Sequence, residues 1–281
     1  MIAMNQKNIG LVLLLPALLM VLVLFLFPLG ISLHAALTDK LGALTLEHFI
    51  KAQSLYSTDM IFTLFITVTA SVLVCLCSLI LSGLMGLSES RFLVASLKWL
   101  YRWPLFIPFI VAAQCMRTFL AKNGLMNNSF VALGLYDSGS AMSFLDWRGI
   151  IITFVWKQTP FVTLMLAGAV ASLDRSMIEA ARNLGASRLR VMIEIIIPQV
   201  MPVLMVGLIL SFVTMMSVLS VPMMVAGSQP TLLTVDMAFR INSYGDYPTA
   251  NALGVISYLM TSLVAWFYLR QQMRDHAHHV A

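Results

Sequence analysis

Charge is what this sequence has least of. Lys, Arg, Asp and Glu make up 10% of its 281 residues, against about 25% in a typical soluble domain. With 60% hydrophobic residues and a mean hydropathy of +0.91, that scarcity excludes a soluble globular chain and makes the lipid bilayer the relevant solvent. Inside a bilayer, backbone polar groups must pair within the protein, so a spanning segment is either a helix or part of a closed barrel. Barrel strands read as segments of about ten residues with alternating polarity. These are missing, and long unbroken apolar runs take their place, so the fold class expected is an all-α integral membrane protein.

Cysteine is scarce as well. Cys75, Cys77 and Cys115 all lie inside apolar runs, and no His or carboxylate accompanies the close pair. Metal binding needs further ligands at suitable spacing, so these are read as small packing residues. No Gly-x-x-x-x-Gly-Lys-Ser/Thr phosphate loop occurs, and the chain therefore lacks the motif for hydrolysing ATP. Nor is there a Ser, His and Asp set for covalent catalysis. His34 is isolated, and His276, His278 and His279 read as a solvated terminus. A membrane-embedded enzyme is disfavoured, and no cofactor of the chain's own is expected.

Six apolar runs approach the roughly 20 residues that a bilayer requires. They cover 9–35, 60–87, 97–120, 149–173, 201–226 and 252–269. The first is too long for a cleavable signal peptide, whose apolar core runs about 7–15 residues, and is read as an uncleaved helix. The predicted organisation is an N-terminal helix with an outer loop over 1–58, then a core of five spans over 59–281. Pro104, Pro108, Pro160 and Pro202 fall within the third, fourth and fifth runs, where each removes a backbone donor and favours a kink.

Lys and Arg orient the chain. With the N-terminus in the cytoplasm, the inner segments carry Lys7, Arg91, Lys98, Arg102, Arg175, Arg182, Arg188, Arg190, Arg270 and Arg274. The outer segments carry Lys40, Lys51, Arg117, Lys122, Arg148 and Arg240. This bias puts both termini inside, and it explains the net charge of +5 without a nucleic-acid partner. Among the acids, Asp59 is counted outside the spans, leaving Lys157 as the charge at bilayer depth.

The most polar inner stretch lies between the fourth and fifth runs, over Asp174 to Glu194, and leads on to Pro198. Ser176 three residues before Glu179 is a capping-box pattern. Ala180 and Ala181 favour helix, and Gly185 suits a left-handed stop. A second amphipathic segment, 189–197, is expected to lead to Pro198 and the next span.

Glu179-Ala180-Ala181, Gly185, Ile195 and Pro198 stand at the spacing Glu-Ala-Ala, three residues, Gly, nine residues, Ile, one residue, Leu-Pro. This resembles the cytoplasmic signature of permease subunits in binding-protein-dependent ABC importers, departing from it conservatively at Ile197. Leu15-Pro16 through Leu29, Asn123 to Asn127, and Trp156-Lys157 with Pro160-Phe161 are similar to further segments of the maltose/polyamine-type members. The resemblance covers nearly the whole chain. It implies the six-helix type I importer permease fold in a bacterial inner membrane. It implies partners too: two ATP-binding subunits that hold ATP and Mg, a second permease that is usually a different chain, and a periplasmic binding protein. Glu179, Ala180, Ala181, Gly185, Ile195 and Pro198 would then form the element through which the ATPase drives transport.

Cargo is less legible. Sugar carriers of this family usually have Asp before the glycine, whereas Asn183-Leu184 precedes Gly185 here, as in relatives carrying polyamines, iron, phosphonates or similar small ions. A small non-sugar solute is therefore expected, with a sugar as the alternative. Lys157 is a candidate for the path because an intramembrane charge is costly, and with Arg117 it suits an anion; snorkelling to the interface is the rival explanation. Ser211, Thr214 and Ser217, three apart, are candidate path residues or interhelical packing polar groups. An ion-coupled secondary transporter is the competing class, but the expected buried carboxylate and internal repeat are not found in the sequence.

Overall fold

The computed structural model describes residues 6–280 apart from Lys40, Tyr136 and 227–229, with side chains described from Leu14 onward, except Ser138, 267–269 and those beyond Arg270. The terminal His276, His278 and His279, and the side chain of Lys7, lie outside the described side chains. Among the described residues the secondary structure is helical, with a single isolated bridge between Thr38 and Leu44.

The helices are α1 (Gln6–Val21), α2 (Phe27–Leu37), α3 (Glu47–Leu87), α4 (Arg91–Arg102), α5 (Phe109–Leu120), α6 (Leu125–Ala132), α7 (Trp147–Ala171), α8 (Arg175–Asn183), α9 (Arg188–Val191), α10 (Ile197–Ser217), α11 (Ser220–Val225), α12 (Leu233–Tyr244) and α13 (Tyr247–Val280). Five continuous helical stretches are long and apolar enough to cross a membrane: Leu14–Leu37, Glu47–Leu87, Trp147–Ala171, Arg188–Ser217 and Tyr247–Trp266. The expected third span is not one helix. Arg91–Phe106 and Phe109–Ala132 meet at a bend of 108°, and the pair counts as a sixth crossing only as a broken span.

Proline chemistry explains the break. Trp103–Phe106 tightens into a 3₁₀ turn containing Pro104, and Ile107 is extended at φ −88°, ψ 121°. Pro108 has no N–H, and its ring disfavours helix at the residue before it. Pro160 and Pro202 instead lie within continuous helices. Two further prolines follow a wide π turn. Leu22–Leu26 precedes Phe27-Pro28, and Met192–Ile196 precedes Ile197-Pro198. The N–H groups of Phe27 and Ile197 reach back five residues, to Leu22 and Met192. The extra residue in the turn accommodates the proline ring that would otherwise meet the preceding turn. The segment 189–197 leads through Pro198 into the next span within one helical stretch, Arg188–Ser217.

Two other boundaries differ from expectation. The fifth span stops at Ser217, where Val218 turns extended; α11 follows and packs chiefly on α5. The second span starts a little earlier than 60, because α3 continues through Asp59 back to a kink at Tyr56 (φ −124°, ψ 15°), and a separate helical stretch from Glu47 precedes that kink.

The chain forms two compact units, the first combining the residues up to Ser57 with Asp236–Leu259 and the second combining Thr58–Val235 with the residues from Met260. In this first unit, Asp246 organises the polar end. Its Oδ2 accepts from Lys51 Nζ at 2.7 Å and from Arg240 Nη1 at 3.3 Å, and its Oδ1 accepts from Thr249 N at 3.3 Å. Arg240 Nε also donates to the Tyr56 hydroxyl. Burial by itself would raise the Asp246 carboxyl, but the bonds from Lys51 and Thr249 outweigh it and hold the group below its ordinary range. Its contribution is therefore in force above the ordinary carboxylate range and is lost as pH falls through the depressed value. Asp246→Asn is expected to destabilise this unit by about 1–2 kcal/mol, after allowing for the half-exposed Lys51. Hydrogen exchange across 240–250 checks this, and unchanged protection there would refute it.

The second unit holds two cores. One gathers Ile66, Ile150, Phe154, Met215 and Val221, and the other Val74, Val162, Leu166, Ile196, Val200 and Leu204. Helix α10 packs mainly on α7. At the end of α3, glycines allow close approach. A Cβ on Gly86 would come within 2.8 Å of Val170, and one on Gly83 within 3.0 Å of Met192. Small residues let membrane helices approach in this way, and they leave the last turns of α3 seated against α7 and the segment after α9.

Candidate functional site

The loop singled out in the sequence folds as a short helix, a sharp turn and a return helix. Its N-cap is Asp174, whose Oδ1 accepts from Ser176 N at 2.9 Å. The helix thus starts two residues before the expected Ser176 capping box, with Asp174 as its N-cap and its carboxylate at the positive helix end. The Ser176 N–H bond holds the Asp174 carboxyl low. Helix α8 turns Ile178 and Ala181 onto the second core, with Ala186 beside them after the turn. Glu179 and Ala180 stand exposed on the other side.

Helix α8 ends in a complete Schellman turn. Ala186 N donates to Ala181 O at 3.0 Å, Gly185 N donates to Arg182 O at 2.9 Å, and Gly185 sits at φ +86°. A Cβ at Gly185 would meet nothing within 4 Å. The glycine is therefore required by its left-handed backbone and not by crowding. Gly185 is exposed, Ile195 half-buried and Pro198 exposed. Next to Gly185, Leu184 is 89% exposed, and Met177 on the preceding helix is 49% exposed. Both large apolar side chains thus lie on the outer surface of the loop. Sequence reading passed over Leu184 as an exposed apolar residue, since its exposure follows from the turn.

A second omission is Glu89, in the short link after α3. Its Oε1 accepts from Arg182 Nη2 at 2.8 Å and from Arg188 Nη2 at 3.2 Å. The hydrogen bond from Arg182 is the main reason its carboxyl lies below the ordinary range. Glu89 and Glu179 also line a cavity of about 250 Å³ with Lys98, Arg175 and Arg182.

The candidate path residues are not brought together as a polar stripe. Lys157 is only 7% exposed, and its Nζ donates to the Pro104 and Leu105 carbonyls at the broken third span. The ammonium also lies 5.2 Å from the Phe109 ring centroid. It neither reaches for the interface nor stands free. Arg117 is exposed. Ser211 is fully buried, and its hydroxyl has no hydrogen-bond partner among the described residues. Thr214 is half-buried and Ser217 exposed, and they donate to Leu210 O and Val213 O of their own helix at 2.7 and 2.8 Å. Three-residue steps rotate by about 60° each around a 3.6-residue helix, so the three positions lie along one broad side of α10 while their exposure rises from Ser211 to Ser217.

One carboxylate was placed on the wrong side of a boundary. Asp59 is 6% exposed within α3, and its Oδ1 accepts from Thr231 N at 2.8 Å. One turn on, Thr63 Oγ1 accepts from Leu233 N at 3.1 Å. Together they hold the start of α12. The motif Asn123 to Asn127 also acquires a physical meaning. The Asn127 amide donates to Ala121 O, Lys122 O and Met142 O at 2.8–3.1 Å, closing the turn after α5.

These features define a class: a multi-span helical membrane protein with an exposed, capped and glycine-terminated loop helix between two of its spans. Residues 78–274 match the family described as binding-protein-dependent transport system inner membrane component. That is more than half of the chain, and the protein belongs to this family. The spermidine/putrescine transport system permease protein PotB of Escherichia coli is 28% identical, over 59% of this chain and 62% of its own length. The match thus spans less than two thirds of that relative. The trehalose/maltose transport system permease protein MalF of Thermococcus litoralis is 27% identical over 95% of this chain and 94% of its own. The sulfoquinovosyl glycerol transport system permease protein SmoG of Agrobacterium fabrum is 27% identical over 66% and 64%. A chain of the bacterial alginate ABC transporter, solved with an alginate pentasaccharide-bound periplasmic protein, superposes with a TM-score of 0.81 at 18% identity, over 96% of both chains. The fold is that of type I ABC importer permeases.

Proposed function

We propose that this chain is the permease subunit of an ATP-driven importer, forming part of the translocation path for a small solute delivered by a periplasmic binding protein. The observation that carries the reading is the 174–198 loop, in which α8 exposes Glu179, Ala180 and Leu184 while Gly185 closes the helix. Such a surface suits docking into a cleft of a separate ATPase. A carboxylate is offered to a cationic partner, Ala180 leaves room for close approach, and Leu184 supplies apolar area. Two ATP-binding subunits holding ATP and Mg, and a second, different permease, complete the assembly. The cytoplasmic excess of Lys and Arg supports placing both termini inside.

The cargo has two readings. The Asn183-Leu184 step and the resemblance to spermidine/putrescine permeases favour a small non-sugar solute, such as a polyamine, phosphonate, iron or another small ion. The nearly full-length match to a trehalose/maltose permease favours a sugar. Ligand screening of the cognate binding protein separates them.

The mechanism is tested in proteoliposomes carrying the full complex, with the binding protein outside and ATP trapped within. Uptake is expected to stop when ATP is depleted and to persist when ion gradients are collapsed. The reverse pattern would establish an ion-coupled transporter instead.

A further inference from the structure

We infer that Glu89 is a positioning residue for coupling, with its carboxylate tying both arms of the 174–198 loop to the end of α3. This inference rests on the coupling reading above and adds to it the route by which a moving α8 reaches the transmembrane core. Glu89 lies in the three-residue link between α3 and α4, 93 and 99 positions from its partners in sequence. Arg182 belongs to the last turn of α8, and Arg188 opens α9 beyond the Gly185 turn. The two arginines therefore approach from opposite sides of the left-handed turn and converge on one oxygen, at 2.8 and 3.2 Å.

Sharing one oxygen makes the two contacts interdependent. A shift of α8 relative to α9 must lengthen one pair or pull the carboxylate with it. The carboxylate is not free to follow alone, because α3 is seated through Gly83 on Met192 and through Gly86 on Val170. Movement of α8 is thereby passed to the end of the long α3 helix. The side chains remain 42%, 67% and 58% exposed for Arg182, Glu89 and Arg188. Exposed pairs are weak braces because water screens them. Weakness suits a contact that breaks and re-forms in every cycle, whereas a buried pair would lock one state. Packing of Ile178 and Ala181 on the core holds the fold without it.

The experiment measures ATP hydrolysed per solute imported by the reconstituted full complex. Glu89→Gln is expected to raise this ratio about 5-fold or more, the low end of usual coupling energies. Arg188→Gln, which leaves α8 untouched, should raise it similarly, and the double variant should be no worse than either single. Glu89→Asp should recover most of the coupling. The wild-type ratio should also rise more steeply with added salt than that of Glu89→Gln, which has already lost this contact. A purely structural role would not produce the shared, salt-sensitive effect. Glu179→Lys is measured alongside. If it raises the ratio while Glu89→Gln and Arg188→Gln leave it at the wild-type value, the Glu89 assignment is wrong and the coupling reading stands. If Glu179→Lys itself leaves the ratio unchanged, the coupling reading fails, and the Glu89 inference fails with it.

Discussion

Complexes carrying Glu179→Lys are expected to insert and assemble but to lose solute uptake by at least about 30-fold. Reversing one member of a close charge pair at an interface costs about 2–5 kcal/mol, and each 1.4 kcal/mol is a factor of ten. Insertion should survive, because Glu179 is exposed on α8 and contributes nothing to the core. Gly185→Asp should act by a different route. Its φ of +86° costs a side-chain-bearing residue about 1–2 kcal/mol, so the Schellman turn opens and Leu184 swings out of register. A loss of about 5- to 30-fold in uptake follows. There is room for the new side chain, since nothing lies within 4 Å of a Cβ there, and the protein should therefore still fold. Uptake assays normalised to membrane-embedded protein decide the matter. Wild-type uptake in both variants would remove α8 as the docking element.

The second large effect concerns Lys157. Substituting Met keeps the bulk of the side chain and deletes the ammonium that the Pro104 and Leu105 carbonyls accept from. Those carbonyls sit where the helix ends in a 3₁₀ turn, and Ile107 N supplies only one bond, to Pro104 at 3.3 Å. Losing a charged donor to buried carbonyls costs about 2–4 kcal/mol. An apparent Tm lowered by about 5–10 °C is expected for a chain of this size, with Lys157→Arg much milder. Thermal unfolding of the purified complex in nanodiscs is the measurement. If Lys157→Met melts with the wild type yet abolishes uptake, the ammonium serves the path and not the backbone.

Lys157 also shows where sequence reasoning stopped. Its position inside an apolar run announced that an intramembrane charge needed a partner. The partner was invisible, because it is a pair of backbone carbonyls 52 and 53 residues upstream, and a carbonyl has no signature in a sequence. Asp59 failed to register for a related reason. A hydropathy window ends where polar residues begin, but a helix does not, so α3 continues through Asp59 to the kink at Tyr56. Nothing local indicates that Thr231 will supply the N–H that satisfies it.

The sequence by itself determined the class of solvent, the helical character, most of the apolar runs and the helix and glycine stop of the 174–198 loop. Each of these follows from local chemistry: apolar length, the Lys and Arg bias, and a glycine placed where a left-handed stop was needed. Only the tertiary structure decided that the third span is broken by 108°, that the return helix of the loop merges with the fifth span, and that Ser211 is buried while Ser217 is exposed. It alone joined Glu89 to Arg182 and Arg188. The physical reason is range. Propensities and periodicities act over a few residues, whereas these contacts close over about a hundred, and their partners are chosen by packing.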